Sequence, residues 1–272
     1  MSAVITFTTD FGPADGYVAA MKGVVLGINP EARLIDISHA VKPGNISQAA
    51  FVLKTACGFF PRRSIHVVVV DPGVGTDRRA VILRTPEADF VAPDNGVLSH
   101  VIRPYTSGMP VDGYQNLEGV EACTITESRF WRSPVSTTFH GRDIFAPVAA
   151  HLSLGTPVSA FGSPADSLAV LPVSGPRRMP DGALAGTILH VDNFGNLITD
   201  IESDDLTAET GDITVEVGGK VIRGLSLTYG AADGLLALIG SSGHLEIALK
   251  DGDAATFIGA KVGDEVTIRV VP

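Results

Sequence analysis

Ile65-His66-Val67-Val68-Val69-Val70 forms an almost continuous apolar run of strand length that stops at Asp71. An unbroken valine run of this kind marks a β-strand buried on both faces, and such strands belong to parallel sheets clothed by helices. The preceding residues fit that frame. Val4-Ile5-Thr6-Phe7-Thr8-Thr9 reads as a strand halted at Asp10-Phe11-Gly12-Pro13. Tyr17, Val18, Met21, Val24, Val25 and Ile28 recur at three and four, which predicts a helix with Asp15 near its cap. Arg33 to Ser38 reads as a second strand, and the stripe from Ile46 to Phe60 as a second helix closed by Pro61. Strand, helix, strand, helix, strand implies an α/β unit with crossover connections.

Downstream the periodicity changes. Five prolines between 153 and 184, with several Gly and Ser, read as a linker or interdomain loop. Beyond them the chain turns all-β. Ile188 to Val191 and Leu197 to Ile201 flank the turn from Asp192 to Asn196, and Ile213-Val215-Val217 alternates into Gly218-Gly219 as a hairpin. The expected architecture is an α/β domain with a mostly parallel sheet over residues 1–170, then a small antiparallel β-barrel over 185–272. A chain of 272 residues accommodates both at roughly 150 per domain.

Composition narrows the function classes. A net charge of −10 argues against nucleic acid as a partner, because phosphate contacts need clustered cations. Cys57 and Cys123 are the two cysteines, with no C-x-x-C, which excludes a cysteine zinc site and a disulfide scaffold and fits a reducing compartment. The N-terminus lacks the pattern of a signal peptide, and the apolar runs are too short for the membrane. A cytoplasmic enzyme or small-molecule binder is the expectation.

Ligands of open parallel sheets bind at the carboxyl ends of the strands. That rule selects Asp10, His39 and Asp71. Each alone could be a turn former or cap, but three in succession, each with a Gly or Pro turn, point to a site. Asp71-Pro72-Gly73-Val74-Gly75-Thr76-Asp77-Arg78 has no third glycine and no G-K-[ST], so it is neither a dinucleotide fingerprint nor a phosphate loop. It could fold so that the Asp71 carboxylate and the Arg78 guanidinium face one another, or form a purely structural ion pair. His140 precedes the helical stretch that starts at Ile144, where an imidazole can meet a ligand. Pro93-Asp94-Asn95-Gly96 looks like a turn. Asp192-Asn193-Phe194-Gly195-Asn196 places a ring at a turn tip that would not otherwise need one.

Taken together, Thr9-Asp10-Phe11-Gly12, the D-P-G-V-G-T loop with Arg78, Pro93 to Gly96, Phe139-His140-Gly141-Arg142-Asp143 and Asp192 to Asn196 resemble, in order and spacing, the S-adenosylmethionine hydroxide adenosyltransferases. These are the hydrolytic relatives of fluorinating and chlorinating enzymes. The resemblance implies cleavage of S-adenosylmethionine by water to adenosine and methionine, with no metal and no cofactor, in a homotrimer whose sites lie between one subunit's large domain and its neighbour's barrel. By the same resemblance Asp71, Arg78 and His140 form the catalytic triad and Asp10 holds the ribose hydroxyls. Asp15, Asp192 and Ser242 match positions at the methionine end, Phe194 and Asn196 lie beside adenine, and Phe139 lies near the reacting carbon. The halogenating relatives carry Tyr at the position of Asp71; a carboxylate there would repel halide. The chain also departs from the fluorinating pattern at Gly141, at Gly44 in place of a stacking aromatic residue, and at Ser242 in place of an arginine.

Two other classes compete. Asp10, Asp15, His39, Asp71, Asp94 and His140 could supply a two-metal phosphohydrolase. A nonenzymatic adenosyl-ligand sensor would use the same pocket without turnover.

Overall fold

The computed structural model describes residues 2–172, 175–206 and 212–271. The chain divides into two compact units, 1–172 and 173–272. The first unit begins β1 (Val4–Thr9), α1 (Tyr17–Ile28), β2 (Arg33–Ser38), α2 (Ile46–Cys57), β3 (Ser64–Val69), β4 (Ala80–Arg84), β5 (Ala88–Pro93). The sheet order is β2-β1-β3-β5-β4, extended by Glu121–Ile125 and Gly162–Pro164. β2-β1, β1-β3 and β3-β5 pair in parallel, and the pairings from β5-β4 outward are antiparallel.

Every residue of β3 is buried. Ile65, Val67 and Val69 face a core built with Met21 and Val25 of α1 and with the helix Ala146–Ser153. Val68 and Val70 face a second core containing Ala49 and Leu53 of α2. With helices on both sides neither face of the strand meets solvent, which is why the run lacks polar/apolar alternation; each buried valine or isoleucine contributes about 1.5–3 kcal/mol of burial.

Asn45 caps α2, its Oδ1 accepting from Gln48 N at 2.9 Å. Asp15 sits near the cap of α1 as its spacing predicts, one residue before Gly16, which occupies the cap position itself. The proline-rich window is more than a linker. Gly162–Pro164 pairs with Glu121–Ile125, and Ser167–Ala169 pairs with Tyr114–Asn116. Pro164 is tolerated because its strand lies at the sheet edge. Residues 173 and 174, in the same window, lie outside the described residues.

The second unit is antiparallel throughout. Its strands close over Ile188, Leu197, Ile201, Val215, Ile247 and Val266. The outermost strands, Lys220–Arg223 and Leu235–Ile239, come into contact, so the sheet is nearly a barrel. Gly218 and Gly219 both take positive φ in the hairpin between Asp212–Val217 and Lys220–Arg223, as a primed two-residue turn requires. Among the described residues, no helix is long and apolar enough to cross a membrane.

His66 interrupts the valine run, and its environment explains how. It is fully buried, its Nδ1 2.8 Å from Thr6 Oγ1 and its ring stacked on Phe90. Burial pushes its pKa down to about 4. The unfolded chain protonates this imidazole near pH 6.5 and the folded chain does not, so stability falls as pH drops from about 6.5 to 4, by about 1.4 kcal/mol per unit. Denaturant unfolding across that range should show a slope one proton shallower in His66→Gln than in wild type. An unchanged slope would assign the titration elsewhere.

Candidate active site

Where β3 ends, the chain must leave a fully buried strand, and Asp71 is the first residue beyond Val70. Its carboxylate is 4% exposed and the Arg78 side chain 11%. Arg78 Nε lies 2.9 Å from both carboxylate oxygens, and its Nη2 donates to Oδ2. The tight return from Asp71 to Arg78 is held by Val74 N–H to Asp71 O and by Thr76 Oγ1 to Gly73 O at 2.6 Å. Gly75 has φ +79°, and a Cβ there would lie 2.6 Å from Thr137 O. Only glycine lets this loop press against the segment that carries the histidine.

That segment supplies His140. Arg78 Nη2 is 2.8 Å from His140 Nδ1, so one guanidinium joins residues far apart in sequence. Arginine has donors only, so Nδ1 accepts and the ring proton sits on Nε2. Burial, followed by the Arg78 charge, holds the His140 pKa below the ordinary imidazole value. The imidazole is therefore neutral near pH 7 and offers one N–H. Arg78 also lies over the Phe145 ring at 5.4 Å.

Asp143 anchors this stretch and was not singled out from sequence. Its side chain is fully buried and accepts from Arg142 Nε and Nη2 at 2.7 Å each and from Ser136 N at 2.9 Å. Its N–H reaches back to Phe139 O, and its own carbonyl accepts from Arg132 N. Gly141–Phe145 forms a π-turn, with Ala146 N bonded to Gly141 O, before the chain enters Ala146–Ser153. A Cβ on Gly141 would come within 3.1–3.4 Å of Met21, Val69 and Phe139, which accounts for the small residue beside His140.

Asp10 emerges from β1 on the same side of the sheet. Its Oδ2 accepts from Gly44 N at 2.8 Å. Gly44 has φ +71°, a left-handed conformation that disfavours any residue with a side chain. His39 is in the same region, with Nδ1 2.8 Å from Thr9 Oγ1 and Nε2 2.8 Å from Asp36. Its carbonyl accepts from Gly12 N, tying the two loops together. Phe139 meets Phe11 at 5.8 Å and Tyr17 at 5.3 Å, giving an aromatic wall next to His140. Asp15 is exposed at the start of this region.

In the second unit, Asp192 accepts from Phe194 N, Asn196 N and Asn196 Nδ2 at 2.8, 2.9 and 3.0 Å. These bonds fix the turn with the Phe194 ring 75% exposed and Asn196 buried. Ser242 lies in the turn from Gly240 to Gly243. Sequence reading missed a neighbouring pair: Tyr229 Oη donates to the buried Glu246 at 2.6 Å. That hydrogen bond, with burial and the Asp192 charge, pushes the Tyr229 pKa up to about 12. Asp192, Tyr229 and Glu246 come from separate elements, and no linear motif links them.

Part of the ligand set of the two-metal alternative is already engaged in ion pairs. Asp71 is engaged by Arg78, and Asp94 is engaged by Arg79 Nε at 2.8 Å and by Ala169 N. Among the described residues, no group of three or more His, Cys, Asp or Glu side chains is placed to hold a metal.

Residues 5–162 match the model of the SAM hydroxide adenosyltransferase N-terminal domain, and residues 186–267 that of the SAM hydroxide adenosyltransferase C-terminal domain. An (R)-S-adenosyl-L-methionine hydrolase of Salinispora tropica is 39% identical, with 97% of each chain covered. A fluorinase of Actinoplanes sp. is 26% identical over 97% of each chain. A crystal structure of an uncharacterized conserved protein from Thermotoga maritima superposes with a TM-score of 0.85 at 39% identity, covering 97% of this chain and 99% of that one. With both halves matched and the full-length hydrolase sharing well over a third of its residues, the chain belongs to the SAM hydroxide adenosyltransferase family.

Proposed function

We propose that the protein hydrolyses S-adenosyl-L-methionine at the ribose 5′ carbon, giving adenosine and L-methionine. The contact between Asp71, Arg78 and His140 carries this reading, because it gathers an acceptor, a cation and an N–H donor at one strand end.

In the reaction a water oxygen forms the C5′–O bond while the C5′–S bond breaks. Methionine leaves as a neutral thioether, so the leaving group needs no acid. The sulfonium charge ends as one proton, released from the attacking water. In this reading that water donates a hydrogen bond to Asp71 and accepts one from His140 Nε2–H, which leaves a lone pair free for in-line attack. Arg78 fixes both partners and favours negative charge developing on the oxygen. Holding water in line turns an encounter into an effectively unimolecular step. As the proton shifts toward Asp71 the oxygen becomes hydroxide-like, and it and the sulfonium then lose charge together as the C5′–O bond forms, so a dry setting favours the transition state. Asp10 takes the ribose hydroxyls, Phe139 borders the reacting carbon, and Asp15, Asp192 and Ser242 serve the methionine end, with Phe194 and Asn196 at adenine. S-adenosylmethionine is the substrate, and no step in this scheme calls on a metal or a cofactor. The family resemblance supports a homotrimer with sites shared between chains, and the free thiols Cys57 and Cys123 suit the cytoplasm.

Chromatography of pure protein mixed with S-adenosylmethionine should show adenosine and methionine in equal amounts, and in ¹⁸O-water the label should enter only the adenosine 5′ hydroxyl. Binding without product would make the protein a sensor, and label in methionine would rule out attack at the ribose carbon. Asp71→Ala, Arg78→Ala and His140→Ala should each lower turnover by about 10²–10⁴-fold with folding intact; wild-type rates in any of them would remove that residue from the scheme.

The histidine adds a pH signature. Neutral His140 is required, and its pKa is held low, so turnover should persist into moderately acidic solution and fail as the ring protonates. Removing the Arg78 charge raises that pKa. The residual activity of Arg78→Met should therefore lose its acid limb at higher pH than wild type, and a limb that does not move would separate His140 from the profile.

A further inference from the structure

β2, β1, β3 and β5 run parallel, so their amino ends share the sheet rim opposite Asp10 and Asp71. Their registers set Arg33 beside Val4, and Ser64 beside Ala88. This rim opens into a cleft of about 940 Å³. Arg33, Arg62, Arg63 and Arg84 line it, and Asp89 is the single carboxylate among its described lining residues. In a chain of net charge −10, four arginines lining one cavity with a single carboxylate are a local reversal of sign.

The partners of these arginines show which charge is spent. Arg84 is held by Asp89 through two bonds of 2.8 Å, so that carboxylate is neutralised. Arg62 has only Glu87, at 3.7 Å. Arg33 and Arg63 have neither a hydrogen bond nor an ion pair from their side chains among the described residues, whereas Arg78, Arg79 and Arg142 each sit on a buried carboxylate. Arg63 has φ +65°, one of three non-glycine residues with left-handed backbone among the described residues, fixed by Arg63 N–H to Glu87 O at 2.6 Å. Glycine would make that turn without strain, yet an arginine side chain projects from it. The helix Ala146–Ser153 brings its carboxyl end to the same cleft, a pole that by itself disfavours anions. Its last carbonyls are already bonded, Ala150 O by Ser153 Oγ and Leu152 O by Gly155 N.

We propose that this cleft binds a small molecule bearing a di- or triphosphate. Planar guanidinium forks match phosphate oxygens in pairs. Arg33 and Arg63 leave strands two positions apart in the sheet, about 10 Å, a span that suits linked phosphates better than a single one. The site is separate from the hydrolytic residues and stands whether or not the protein turns over S-adenosylmethionine.

Calorimetric titration of the full chain with inorganic triphosphate at low salt tests it directly. Saturable binding is expected, weaker as salt rises and unchanged by saturating S-adenosylmethionine. Arg33→Thr combined with Arg63→Gly should weaken it by about tenfold or more while melting no lower than wild type, since glycine accepts the backbone at 63. Replacing both arginines with lysine, which keeps the charge and loses the fork, should give an intermediate affinity. No heat with wild type, equal affinity in the Thr/Gly double variant, or competition by S-adenosylmethionine would each overturn the proposal.

Discussion

A nearly dry guanidinium between a carboxylate and an imidazole is the constraint around which the first unit is arranged. Burying the Asp71–Arg78 pair incurs a desolvation cost that its mutual attraction only partly offsets, so the pair is weak as a source of stability. What it secures is orientation. Because Arg78 can only donate, it fixes the tautomer of His140 while it holds Asp71 in place. The loop, the glycine that lets it approach Thr137, and the buried Asp143 behind His140 all serve to keep these three groups within hydrogen-bond reach.

The features legible in the sequence were those governed by neighbours along the chain. The valine run announced a strand covered on both faces, and the polar stops after β1, β2 and β3 marked the end of the sheet where side chains gather. The paired glycines of the second unit announced a hairpin. Each signal depends on backbone preference or on a period of two or three to four, and both survive in a linear string.

Other features depended on distant partners and were hidden for that reason. Asp143 looks like an ordinary helix-start acid until Ser136 and Arg142 are seen to fill its oxygens. Glu246 and Tyr229 belong to separate elements of the second unit. The prolines between 153 and 184 suggested irregular chain because proline is rare in sheets, yet an edge strand needs no donor on its open side.

The π-turn at Gly141–Phe145 has a consequence for how such a chain can change. It accommodates one residue more than an α-helical turn would. Deleting a residue there would restore regular winding and swing everything upstream by about 100° around the helix axis, while Val148, Ala149 and Leu152 kept their places in the core. The imidazole would then point away from its guanidinium partner. This single irregular turn works as a gear tooth: it indexes the reactive edge to the scaffold, and its length sets where the imidazole points.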